Sequence, residues 1–108
     1  MNDERAQKVH ERIRRLASAF ISENTNSTSL ITVTNVDSHN RFRFVTIFVT
    51  ILPVEAEKAA LDFLKRNRTE FREYLKPRAR LKEIPTFDFE IDLGEKNRQR
   101  IDEVSRNV

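Results

Sequence analysis

The spacing of apolar residues changes period several times along the chain, and each change marks the border of a predicted element. Between residues 3 and 23, Val9, Ile13, Leu16, Ala17, Phe20 and Ile21 recur every three or four positions, which places one apolar stripe on an amphipathic helix. Residues 23–29 are small, polar and aperiodic, and read as a loop. A first strand follows over residues 30–37. Ile31 and Val33 share one face but Val36 falls on the opposite phase, so a bulge near Asn35 is expected to turn it inward. Asp37-Ser38-His39-Asn40 has turn chemistry, and residues 41–52 read as a second strand with Val45, Ile47, Val49 and Ile51 on one face. Phe42, Phe44, Thr46, Phe48 and Thr50 make the other face, and a strand apolar on both sides belongs at the centre of a sheet.

Pro53 ends that strand, and residues 54–66 return to helical spacing with Ala56, Ala59, Ala60, Phe63 and Leu64 facing inward. Asn67, followed by Glu70, resembles a capping box. One helix is therefore predicted to end there and a second to begin, carrying Phe71, Tyr74 and Leu75 until Pro77 stops it. Residues 84–92 alternate cleanly, with Phe87, Phe89 and Ile91 pointing one way and Thr86, Asp88, Glu90 and Asp92 the other. Gly94 breaks this third strand, and residues 95–108 read as a short charged helix aligning Ile101, Val104 and Val108. Strand, two helices and strand make a crossover unit, so the second and third strands should run parallel. The short turn makes the first strand antiparallel to the second. The predicted class is α+β: the order α-β-β-α-α-β, a three-stranded mixed sheet with helices mainly on one face, and a short C-terminal helix.

Composition narrows the chemistry. At 108 residues with 38% apolar content and eight Phe, residues 1–108 fit a single domain with a small core. The absence of Cys excludes disulfides and thiolate metal sites. With Gly94 as the only glycine, there is no glycine-rich phosphate loop and no GxxG clamp, so phosphate contacts would come from side chains. His10 and His39 make no convincing metal set, and no segment arranges a nucleophile with its base. No catalysis and no cofactor are expected. No apolar run approaches the ~20 residues of a membrane span, and the N-terminus is charged rather than signal-like; the expectation is a cytoplasmic protein.

Charge distribution is more telling than total charge. Residues 65–82, KRNRTEFREYLKPRARLK, hold eight Lys or Arg against two Glu, whereas the whole chain carries a net charge of only +3. A polyanion responds to such local density. Arg66, Arg68, Arg72 and Lys76 would present cations from the helix pair, with Arg68, Arg72 and Lys76 in one i, i+4, i+8 row. Arg78, Arg80 and Lys82 would extend the patch towards the third strand. Their role would be phosphate contact, which positions a protein on RNA without reading bases. The basic residues of the first helix (Arg5, Lys8, Arg12, Arg14 and Arg15) read more simply as a solvated outer face, with a secondary RNA contact as the alternative. The acidic outer face of the third strand argues against laying bases on the open sheet.

The element order matches the type II KH topology, and the sequence resembles the ribosome-binding factor A family over about residues 7–104. The segments carrying the resemblance are QKVHERIRRLASAFIS, LITVTNVD, TIFVTIL and above all FREYLKPRARLKEIPTFDFEID. Arg72, Arg80, Leu81 and the Pro85-x-Phe87 pair stand where the family has its Arg, Arg-Leu and Val-Pro-x-Leu pattern, and Arg100 matches a basic position beyond the third strand. Where the family usually breaks its helix pair with Ala-x-Gly, this chain has Asn67-Arg68-Thr69. The resemblance implies binding to the immature small (30S) ribosomal subunit and its 16S rRNA near the decoding region, assisting late maturation of that RNA; a monomer is expected. The alternative from a different class is a protein-interaction module docking through its sheet face, without direct RNA binding.

Overall fold

The computed structural model describes the backbone of residues 3–25 and 28–106, and the side chains of all of these except Asp3 and residues 100–106. The proposed alignment of Ile101, Val104 and Val108 therefore lies outside the described residues. Helix α1 runs from Asp3 to Asn24 and buries Ile13, Ala17, Phe20 and Ile21, as its three-and-four spacing requires. At its end Asn24 Nδ2 donates to the Phe20 carbonyl (2.7 Å) and Thr25 Oγ1 to that of Ile21 (2.7 Å), giving partners to carbonyls that the helix itself leaves open.

Strands β1 (Leu30–His39) and β2 (Phe44–Leu52) pair antiparallel, with Ile31 opposite Ile51 and Val33 opposite Val49. The register shifts between Val33 and Asn35, and Val36 is then buried opposite Ile47. This is the bulge that the out-of-phase valine required. Strand β3 (Thr86–Ile91) runs parallel to β2 on its other side, so β2 is central. Between them lie α2 (Glu57–Arg66), entered through a single 3-10 turn at Val54–Ala56, and α3 (Arg68–Leu75). A final helix, α4, spans Leu93–Arg106.

Several borders fall elsewhere than the pattern suggested. The ladder continues through Ser38 opposite Val45 and His39 opposite Phe44, so β1 outlasts Asp37. The turn moves to residues 40–43, where Asn40, Arg41 and Phe42 all take left-handed backbone (φ 50°, 54° and 67°), and β2 starts at Phe44 rather than at 41. β3 begins only at Thr86, whose amide donates to the Arg43 carbonyl at 2.9 Å; Pro85 before it has no amide to give. Ala59 is exposed, and Leu61 joins Ala56, Ala60 and Phe63 against the core. Asn67 forms no capping box. Its Nδ2 donates backwards to the Phe63 carbonyl (2.8 Å), closing α2 instead of opening α3. Nor does Gly94 mark a break: it lies in the first turn of α4, and Asp92 caps that helix, Oδ1 accepting from the Glu95 amide at 3.0 Å.

The core lies between the sheet and helices α1 to α3, with Phe71 at its centre, fully buried. Its ring meets those of Phe20, Phe87 and Phe89 at centroid distances of 5.2, 5.0 and 5.6 Å. A residue of α3 thereby ties α1 to β3, which fixes where the cations flanking it on α3 can stand.

Candidate nucleic-acid interface

Phe71 and Leu75 bury one side of α3, so Arg68 and Arg72, a turn apart on another side, face out together. They flank an open hollow of about 270 Å³ with Thr69, Thr86 and Phe87. Neither is unattached. Arg68 Nη1 lies 3.2 Å from Asp88 Oδ1, and Lys65 Nζ reaches the same oxygen at 2.8 Å. Arg72 Nη2 donates to the Ile84 carbonyl at 3.3 Å. Burial opposes ionisation of Asp88, but the Lys65 ammonium, the Phe89 amide and the Arg68 charge outweigh it and hold the carboxyl below its usual range. Asp88 thus pins two cations beside the β3 edge while offsetting one of their charges.

The other predicted cations are dispersed around this pair. Lys76 follows the end of α3 and bonds Glu73 at 2.7 Å, so the third member of the i, i+4, i+8 row does not line the hollow. Arg78 stacks its guanidinium over Tyr74, 4.0 Å from the ring centroid, and donates to the Tyr74 carbonyl at 2.9 Å. Arg66, Arg80 and Lys82 are exposed and enter no ion pair among the described residues. The link carrying Arg78, Arg80 and Lys82 is anchored at Ala79, which is fully buried and whose carbonyl accepts from Arg12 Nη1 of α1 at 3.0 Å. Arg12 is accordingly a clamp on this segment and not part of a solvated face.

Lys82 belongs to a second, larger groove of about 870 Å³, which also has Arg5, Arg41 and Arg43 in its walls. Thr86 lines both hollows, so the two adjoin. Arg5, Arg41 and Arg43 are not in the 65–82 cluster; sequence reasoning places Arg5 among the first-helix cations and misses Arg41 and Arg43. The available signal was Arg41-Phe42-Arg43-Phe44, an alternation of cation and aromatic beside a turn. Among the described residues no three His, Asp or Glu are placed to hold a metal ion, and no helix is long and apolar enough to cross a membrane.

A mixed three-stranded sheet in the order β1-β2-β3, helices packed on one face and a helix pair in the β2-to-β3 crossover define an α+β protein of the KH-like kind. The sequence profile of Ribosome-binding factor A matches residues 5–105. The chain belongs to the ribosome-binding factor A family. A ribosome-binding factor A from Thermodesulfovibrio yellowstonii is 31% identical over 78 residues, covering 72% of this chain and 66% of that protein, just under two thirds of its length. The crystal structure of ribosome-binding factor A from Thermus thermophilus superposes with a TM-score of 0.71 at 20% identity, over 79% of this chain and 92% of that one.

Proposed function

We propose that this protein binds the immature small (30S) ribosomal subunit through its 16S rRNA and assists late maturation of that RNA. It acts in the cytoplasm as a single-domain monomer, without cofactor or catalysis. Arg66, Arg68, Arg72, Lys76, Arg78, Arg80 and Lys82 are its phosphate-contacting set. The observation that carries this reading is the open hollow flanked by Arg68 and Arg72, in a chain of the ribosome-binding factor A family. Guanidinium groups a turn apart suit successive phosphates of one RNA backbone. A second reading, docking of a protein through the sheet, draws support from Leu30 and Leu52. They sit opposite one another on β1 and β2 and are 63% and 46% exposed, at the far end of β2 from Phe44.

Co-sedimentation with immature and mature small subunits separates the readings, comparing the native chain with Arg68→Glu/Arg72→Glu/Lys76→Glu. The expected result is loss of binding to immature subunits while circular dichroism still reports the native fold. A folded triple variant that binds undiminished overturns the assignment, and an interaction indifferent to salt favours the apolar contact instead.

A further inference from the structure

The larger groove is not explained by phosphate contact alone, because its cations are interleaved with aromatic rings. Phe42 packs against the core, and its ring lies 5.4 Å from that of His10. Phe44, two residues on, is 47% exposed on the open face of the sheet, away from the buried Val45, and is paired with Thr86 at the end of the strand rather than with the acidic Asp88 or Glu90. Arg5, Arg41, Arg43 and Lys82 line the groove with these rings, against a single lining acid, Glu83. None of those four cations enters an ion pair among the described residues. The loops that supply Arg41, Arg43 and Lys82 hold non-glycine residues in left-handed backbone: Asn40, Arg41 and Phe42 in the first, and Arg80 (φ 54°), two residues before Lys82, in the second. Such residues persist only where the surroundings over-determine them, and they gather at ligand sites.

We propose that this groove binds an unpaired segment of RNA, with one base stacked on Phe44 and the adjoining phosphates held by Arg41, Arg43 and Lys82. An exposed ring between cations gives a platform and a charged track together, the combination that holds single-stranded nucleic acid. A base can reach the platform only when it is free of its own helix, so paired RNA is excluded from the stacking contact. The site is distinct from the Arg68–Arg72 hollow but meets it at Thr86, so one strand leaving the groove can continue along α3. It adds a contact to the RNA-binding reading above, and can fail while that reading stands.

The chain contains no Trp, so Phe44→Trp places a lone indole at the platform. Titration with a twelve-nucleotide single-stranded RNA should quench its emission, and a duplex of the same sequence should not. Phe44→Ala should bind the single strand about five- to 150-fold more weakly, from the range found for base–aromatic stacking, with an unchanged salt slope. Arg41→Gln/Arg43→Gln should flatten that slope by roughly 0.7 for each phosphate no longer neutralised. Emission of Phe44→Trp unchanged at saturating RNA overturns the proposal, as does undiminished single-strand affinity of folded Phe44→Ala. Either result, together with subunit binding that still depends on Arg68 and Arg72, would leave the ribosomal reading standing and remove only the groove.

Discussion

Asp88 restrains the interface it belongs to, and replacing it should move stability and RNA affinity in opposite directions. In Asp88→Asn the amide oxygen can still accept from the Phe89 amide, as the carboxylate does at 2.9 Å, but the charge that holds Lys65 and Arg68 is gone. Those ion pairs are solvent-accessible, with side chains 35%, 48% and 38% exposed for Lys65, Arg68 and Asp88, so their loss should cost only about 1 kcal/mol. The two cations become free to turn outward, and the local charge rises by one unit. If that unit neutralises one further phosphate, the log–log salt slope steepens by about 0.7, which is roughly a fivefold gain in affinity at 0.1 M salt that vanishes towards 1 M. Urea denaturation and fluorescence anisotropy with labelled RNA measure the two effects. The pH dependence has a fixed sign. Because the folded carboxyl ionises more readily than the unfolded one, its stabilisation is complete above the unfolded pKa of about 3.9. It is lost as pH falls through the lower folded value, so variant and native chain should converge in acid. Equal or weaker RNA binding by Asp88→Asn, at equal salt slope, would refute the role of Arg68 in contacting RNA.

Other substitutions test the frame that places the site. Phe71→Ala removes the fully buried ring joining Phe20, Phe87 and Phe89 and should cost about 3–5 kcal/mol, enough to abolish a cooperative thermal transition in a domain of this size. Asp92→Ala removes the acceptor of the Glu95 amide and the 2.6 Å bond from Thr34 Oγ1, and should lower stability by about 1–2 kcal/mol in urea titration. Gly94→Ala should be neutral or stabilising by up to ~1 kcal/mol in the same assay. Its φ is not positive, and an added Cβ would meet only Asp92 Oδ1 at an ordinary 3.6 Å.

What could be read from the sequence was whatever periodicity controls. Val45, Ile47, Val49 and Ile51, with Phe87 and Phe89, repeat with period two and are paired in the sheet core. Val36, out of phase by one residue, was sufficient to place the bulge. Polar details resisted because several acceptors lay within reach of one side chain. Asn67 could cap forward or backward and chose the Phe63 carbonyl, while Asp92, read as a strand residue, caps α4. The basic surface was legible as a count of charges in residues 65–82 but not as an arrangement. Asp88 is twenty residues from Arg68 in sequence and Ala79 sixty-seven from Arg12, and no local pattern reports such long-range partners. Arg5, Arg41 and Arg43 join the surface only because the 40–43 turn and the start of α1 meet the loop carrying Lys82.

The claim that cations of residues 65–82 hold ribosomal RNA by its phosphates is tested most directly by the salt dependence of binding to immature small subunits. Native chain is compared with Arg66→Gln/Arg72→Gln/Lys82→Gln, three side chains that enter no ion pair among the described residues; the ion pairs stay, the Arg72 bond to the Ile84 carbonyl is given up, and circular dichroism checks that the fold is kept. The expected log–log slope is shallower by roughly 2–3 in the variant, from 0.7 to 0.9 per phosphate released. Parallel lines for the two proteins would contradict it.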